Sequence, residues 1–446
     1  MIRLVFADVR AQAPLWLWTV LCVTVGAACA AGSVIATLAG VAAARVSGDT
    51  DLMQASISLG GNIIFFTAFT AAGVVSSTVG LTLTTRRREH ALWMILGIPR
   101  RRVRTILRAE LAVLGLVAGV IATLPALIAA EFSLRQWAGA GLPLSGVTVR
   151  FQPWHLGAAV LCAMVPCLLG GWGITRRVAK TPEMQAFRDV ADPPRRPGFL
   201  RGTLALCLFI GVVGTWIAGL VTDPAGGVEE RVGFVFAGDL FLICLLLLMG
   251  PWVLTPLMTA WTALVPARGA AWHIAVQSCR ARAARSVTSV LPFALCLSLV
   301  GLFTAMGSVM PDGTAGLGDI LVVLGWVFVV AWVGGLAVIA LVGRERVRDG
   351  AIVAVAGARP GVVTRATLYE GVVYAGTAIL FGALCVGATG VTLAVAARVD
   401  TVTFLVGLPW GLYGGLAAMT LVITCLALGV EAARIARTVP ARALRQ

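Results

Sequence analysis

Ten stretches of the chain run without a single Asp, Glu, Lys or Arg: 11–44, 52–85, 111–130, 151–175, 202–222, 240–267, 286–311, 320–343, 371–397 and 401–430. Each reaches or passes the roughly 20 apolar residues that an α-helix needs to cross a bilayer. Backbone amides cannot stay unpaired in lipid, so runs of this length are expected to be helices rather than strands. The pattern therefore predicts an all-α polytopic membrane protein with ten transmembrane helices. The least secure of them is 202–222, which Pro and Gly follow closely.

Composition agrees. Mean hydropathy is +0.94 and 12% of residues are charged, against about 25% in a soluble domain. The net charge of +15 raises the question of nucleic acid, but its distribution points elsewhere. Arg86, Arg87, Arg88, Arg100, Arg101, Arg102, Arg104 and Arg108 crowd one inter-span loop, and Arg176, Arg177, Lys180, Arg188, Arg195, Arg196 and Arg201 the loop two spans later. Arg344, Arg346, Arg348, Arg359 and Arg365 follow on the same side, while the alternate loops hold few arginines and several acids, among them Asp49, Asp51, Glu229 and Glu230. This asymmetry is expected to place both termini on the cytoplasmic side of the membrane. Attraction to anionic membrane lipid is secondary, and no nucleic-acid partner is expected. The first run is too long for the apolar core of a cleaved signal peptide. Nine of the ten cysteines lie inside the runs, so a disulfide framework is not expected.

Two polar elements, 260 residues apart, repeat one another. The first is Arg88-Glu89-His90-Ala91, leading to Gly97, Pro99 and Arg100-Arg101-Arg102, with Glu110 thirteen residues past the glycine. The second is Arg348-Asp349-Gly350-Ala351, leading to Gly357, Arg359 and Pro360, with Glu370 thirteen past its glycine. Each follows the second span of its half. The tails repeat as well, Arg177 to Arg188 after the fourth span matching Arg434 to Arg445 after the tenth. Residues 1–190 and 268–446 thus read as two equivalent four-helix units, and 191–267 as a linker with two inserted spans.

Within the first element, Ala91, Leu92, Ile95 and Leu96 recur at helical spacing, and Val103, Ile106 and Leu107 form a second stripe. Gly97 suits a helix C-cap and Pro99 the first turn of the next helix. The expected object is a helix–break–helix just below the membrane. A basic anchor at the lipid surface is the plainer alternative for a single copy; duplication with the acid and glycine retained favours two docking points.

These residues resemble the FtsX-like permease family: the Arg-(Glu/Asp)-x-Ala-x5-Gly turn, the Glu opening the third span, and the arginine-ended tail occur in both halves. The four-two-four arrangement is similar to the ten-span permeases of bacitracin-type resistance transporters. The loop from Val309 to Gly318 is short where those relatives carry a large extracellular domain. The resemblance implies an ABC-type ATPase homodimer as partner, one permease chain per two ATPases, with coupling helices at Ile98–Leu107 and Ala358–Arg365. ATP and magnesium would be bound by the partner, and no cofactor by this chain. Arg88, Glu89, Gly97, Pro99, Arg100, Arg101, Arg102, Arg348, Asp349, Gly357, Arg359 and Pro360 would meet it. Glu110 and Glu370 would hold neighbouring arginines and fix the stalk angle, or serve as acids favoured at helix N-termini. Arg188 and Arg445 would close the two units.

The chemistry of an energy source is missing. The single lysine, Lys180, follows Ala179, so no phosphate-binding loop exists in this sequence. The run interiors hold no charged residue, with Asp239, Asp319 and Glu131 expected at outer margins and no ion relay implied. His155 reads as an interfacial side chain, and His90 and His273 are too scattered for a metal site. No nucleophile has a plausible base, so the chain is not expected to be an enzyme. The sequence predicts a permease subunit exporting a hydrophobic or amphipathic compound, such as an antimicrobial peptide or lipophilic antibiotic. The alternative is a subunit that transmits force to an extracellular partner without moving a substrate.

Overall fold

The computed structural model describes residues 13–86, 92–144, 146–178, 199–221, 227–266, 269–309, 317–355 and 357–437. Among them the chain is helical without a strand: α1 (Ala13–Ser47), α2 (Thr50–Thr85), α3 (Arg100–Gly139), α4 (Pro153–Val178), α5 (Phe199–Val221), α6 (Gly227–Leu248), α7 (Gly250–Leu264), α8 (Ala270–Ala281), α9 (Ala283–Gly307), α10 (Leu317–Val355), α11 (Pro360–Ala397), α12 (Thr401–Gly407) and α13 (Trp410–Arg437). Ten of these helices are long and apolar enough to cross a membrane. The protein is a multi-pass membrane protein.

Contacts gather the chain into two compact units, residues 1–190 with 321–341, and residues 191–320 with 342–446. In the first, α1 packs on α2 and α3, and α3 on α4. The turn between α1 and α2 is two residues, made by Gly48 at φ +71° and by Asp49, whose Oδ1 accepts the N–H groups of Asp51 and Leu52 at 3.0 Å each. The capping fixes a hairpin tighter than the seven residues left between the charge-free runs 11–44 and 52–85. One core gathers Trp16, Val79, Leu83, Val103 and Leu107. A second gathers Ile35, Ile63, Ala126, Leu134 and Trp137 at the other end.

Small residues let the helices approach. A side chain at Gly115 or Gly119 would stand 2.9 Å from the Met164 Cα or 2.5 Å from the Val160 Cα, so both glycines lie on the backbone of α4. The same spacing at Gly411 and Gly415 meets nothing within 4 Å, so the motif alone does not mark a contact. The outer stripe of α3, with Leu116, Val120, Ile121, Leu124 and Ile128 exposed, is apolar. That much apolar surface suits lipid rather than water. Helix α3 is unbroken for 40 residues, with Pro125 in its interior, and it carries Glu131 and Arg135 on its last turns. The segment to α4 is accordingly shorter than the sequence suggested.

In the second unit α5 pairs with α6, and α11 packs on α9, α8 and α13. The charge-free run 240–267 is not one span. Helix α6 ends at Leu248 and α7 starts at Gly250, with Pro251 in its first turn. Arg201 holds the break: its Nε donates to the Leu248 carbonyl at 2.8 Å, its Nη2 donates to the same oxygen, and the guanidinium lies 5.1 Å from the Trp252 ring centroid. The sixth candidate span is therefore Glu230–Leu248. This corrects the placement of Asp239 at an outer margin, because it falls midway along the span and is fully buried. All ten cysteines are free thiols.

Candidate functional site

The first repeated element folds as a capped elbow. Residues 92–95 form a helical turn that Gly97 ends at φ +89°. The Gly97 N–H bonds the Met94 carbonyl at 3.1 Å, and the Ile98 N–H bonds the Trp93 carbonyl at 3.1 Å. This paired 5→2 and 6→1 closure is the Schellman stop, which needs a left-handed residue at the glycine position. Pro99 follows at φ −66°, ψ 143° as the N-cap residue of α3, one position ahead of the first helical turn expected for it. Its carbonyl accepts from Arg102 and Val103 at 2.8 and 3.2 Å.

The second element repeats this backbone. Gly357 has φ +94°, Arg359 stands at φ −66°, ψ 142°, and α11 begins at Pro360. Each helix starts three residues past its glycine. Inward positions correspond too: Val103, Ile106 and Leu107 are buried in the first copy, and Val363, Ala366 and Thr367 in the second. So do outward ones, Leu92 and Ile95 being exposed in one, and Ile352 and Val355 in the other. Each elbow thus presents a pair of apolar side chains one turn apart, beside exposed arginine: Arg100, Arg101 and Arg102 in the first, Arg359 in the second. Leu96, 79% exposed, extends the first pair.

Behind the first elbow lies a buried ion pair. Arg86 Nη1 and Glu110 Oε2 are 3.2 Å apart, with side chains 1% and 0% exposed, and the Arg86 guanidinium lies 5.6 Å from the Trp16 ring centroid. Glu110 thus holds a neighbouring arginine across the elbow, joining the end of α2 to α3. Arg86 is accordingly not part of the basic surface to which its sequence neighbours assigned it. Arg108 is half-buried, its guanidinium 4.4 Å from the Trp172 ring centroid on α4. In the second copy Glu370 is half-buried, and the neighbouring aromatics Trp272 and Tyr369 pack edge to face at 5.6 Å.

Of the remaining expected residues, Arg348 and Asp349 lie in α10, where only their backbone is described, as it is for Pro360. Arg88, Glu89, Arg188 and Arg445 fall outside the described residues. His155 is buried at the start of α4, where its Nδ1 accepts from the Gln152 N–H at 3.0 Å. Among the described residues no three His, Cys, Asp or Glu side chains converge as metal ligands do.

The residue that sequence reasoning missed is Asp239. Its Oδ1 accepts from Trp216 Nε1 at 3.2 Å and its Oδ2 from the Thr392 hydroxyl at 2.7 Å. The signal was available in the charged residues eight to ten positions before it, Glu229, Glu230 and Arg231, which mark a better span start than Asp239 itself.

No curated protein matches the chain. Residues 61–182, which hold the first elbow with most of α2, all of α3 and α4, match the family described as FtsX-like permease C-terminal. The stretch 61–182 of this membrane protein of ten candidate spans is thus similar to the FtsX-like permease C-terminal domain.

Proposed function

We propose that the chain is the permease subunit of an ABC transporter, driven by a separate ATPase dimer that docks on the two elbows from the cytoplasm. The observation that carries this reading is the shared backbone of the elbows: one left-handed glycine, one extended residue two positions on, one helix start at the third. A surface anchor has no need for such a geometry twice. Each ATPase subunit would receive the exposed apolar pair, Leu92 and Ile95 or Ile352 and Val355, in a groove, and would set acidic groups against Arg100–Arg102 or Arg359. The first contact has three arginines and the second one, so the first is the stronger. Helices α3 and α11 start at the elbows and run on as membrane spans, so displacement of an elbow becomes displacement of a span. The cargo is a hydrophobic or amphipathic compound.

The test is co-purification and ATPase stimulation with an ABC-type ATPase of the same organism, co-expressed with this chain. Replacing Arg100, Arg101 and Arg102 together with Glu should abolish co-purification, since charge reversal sets like charges against the partner. Arg359→Glu should weaken it less. Unchanged ATPase binding and stimulation in both variants would sink the proposal.

A further inference from the structure

Asp239 lies midway along the 19-residue span Glu230–Leu248 and is fully buried. Its two neutral donors are Trp216 and Thr392, and no cationic side chain among the described residues pairs with it. A carboxylate at that depth is costly unless it meets a cation or carries a proton. Such a residue marks a functional site by default.

Beside it lies a cavity of about 460 Å³ between α6, α7 and α11, walled by Leu242, Leu246, Leu257, Phe381, Leu384 and Ala388. Asp239 precedes Leu242 by one turn on α6, and Thr392 follows Ala388 by one turn on α11. The Asp239–Thr392 pair is not part of the lining; it stands one helical turn beyond it on both helices, at one end of an otherwise apolar cleft. The Thr392 hydroxyl has one proton and three acceptors in reach: Asp239 Oδ2 at 2.7 Å, the Thr389 carbonyl at 2.9 Å and the Ala388 carbonyl at 3.2 Å. It can turn from the carboxylate to its own helix without losing a hydrogen bond, which frees Oδ2 for another donor.

We propose that this cleft binds a lipophilic amine with a single hydrocarbon tail, the tail along α6 and α11 and the ammonium on Asp239 in the place of the Thr392 hydroxyl. The size of the cleft lies in the lower half of the range for sites of single drug-sized molecules, about 300–1,000 Å³. A buried carboxylate selects for the one head group that neutralises it, and rejects fatty acids by like charge. The assignment rests on the permease reading and narrows its cargo to cationic amphiphiles.

The experiment uses the full chain in phosphatidylcholine nanodiscs, without ATPase or nucleotide, and compares saturable binding of dodecylamine, dodecanol and dodecanoate against empty discs. Because no ATPase is present, failure of the elbows to dock one leaves this result untouched. Dodecylamine is expected to bind about tenfold or more tighter than dodecanol, the worth of a hydrogen bond to a buried charge. Asp239→Asn should remove that preference, since it keeps the shape and an acceptor for Trp216 but not the charge. Ala388→Trp should weaken amine and alcohol alike by filling the cleft. The proposal is overturned if amine and alcohol bind wild type equally, or if Asp239→Asn retains the preference. Displacement of dodecylamine by phosphatidylethanolamine in the disc would also overturn it, assigning the cleft to bilayer lipid. Should Asp239→Asn fail to fold, the wild-type ratio and Ala388→Trp still decide.

Discussion

Arg86 and Glu110 meet at 3.2 Å with both side chains out of contact with solvent, so the end of α2 and the first turns of α3 are tied by a pair that neither partner can leave alone. Breaking a buried pair costs about 3–5 kcal/mol, because one charge stays behind uncompensated. Arg86→Ala and Glu110→Ala are each expected to destabilise by about that much, read as earlier thermal unfolding in detergent. The double variant Arg86→Met with Glu110→Leu should recover part of the loss. Equal stability of single and double variants would remove the pair from the account.

Gly97 and Gly357 have open space where a Cβ would stand, so replacement there meets a conformational cost and no steric one. A left-handed residue with a side chain costs roughly 1–2 kcal/mol, and Asn tolerates the region better than other residues. Gly97→Asn should keep most ATPase stimulation, Gly97→Val should lose it, and Gly357 should give the same order. A valine variant that couples as well as wild type would show that the elbow geometry is incidental.

At Gly119 the opposite holds, since a Cβ would lie 2.5 Å from the Val160 Cα. Gly119→Leu must push α4 away, and overpacking of this kind costs about 1–3 kcal/mol or more. Gly411→Leu and Gly415→Leu meet nothing within 4 Å and should leave the unfolding temperature nearly unchanged. Comparing the three in one thermal series checks whether close helix contact is confined to the first pair.

Asp400 caps α12, its carboxylate accepting from the Thr403 hydroxyl at 2.6 Å and the Thr403 N–H at 2.8 Å. These bonds hold its pKa below the usual carboxylate value. A lowered folded pKa contributes stability that is fully present above the unfolded pKa and is lost as pH falls through the folded one. Protection of the Thr403 amide from exchange is therefore expected to be constant at neutral pH and to fall in acid. Asp400→Ala should be unprotected throughout, with no acid-dependent change.

Sequence periodicity was sufficient for the number of spans and for the register of the elbows, because both depend on local features: length of apolar run, one glycine, helical spacing of Val103, Ile106 and Leu107. It was not sufficient for partners that meet through space. That Glu110 takes Arg86 rather than Arg108 depends on how α2 and α3 pack, and Arg108 instead lies over Trp172. Asp239 was misplaced because an absence of charge was used to delimit spans, and a buried carboxylate held by Trp216 and Thr392 violates that criterion at its centre. Gly115 and Gly411 open the same motif, and only the neighbouring helix distinguishes them.

Helix α3 is about 60 Å long at 1.5 Å per residue and carries Pro125 in its interior, whereas α11 has no proline beyond its first turn. Proline deletes one rung of the helix ladder and favours bending there. We therefore expect the two levers to answer the same stroke differently: the first flexes, so its far half changes direction, while the second transmits the stroke as a straight rod. Symmetric ATP hydrolysis would then produce an asymmetric motion in the membrane, which gives the cycle a handedness that its repeated elbows do not have.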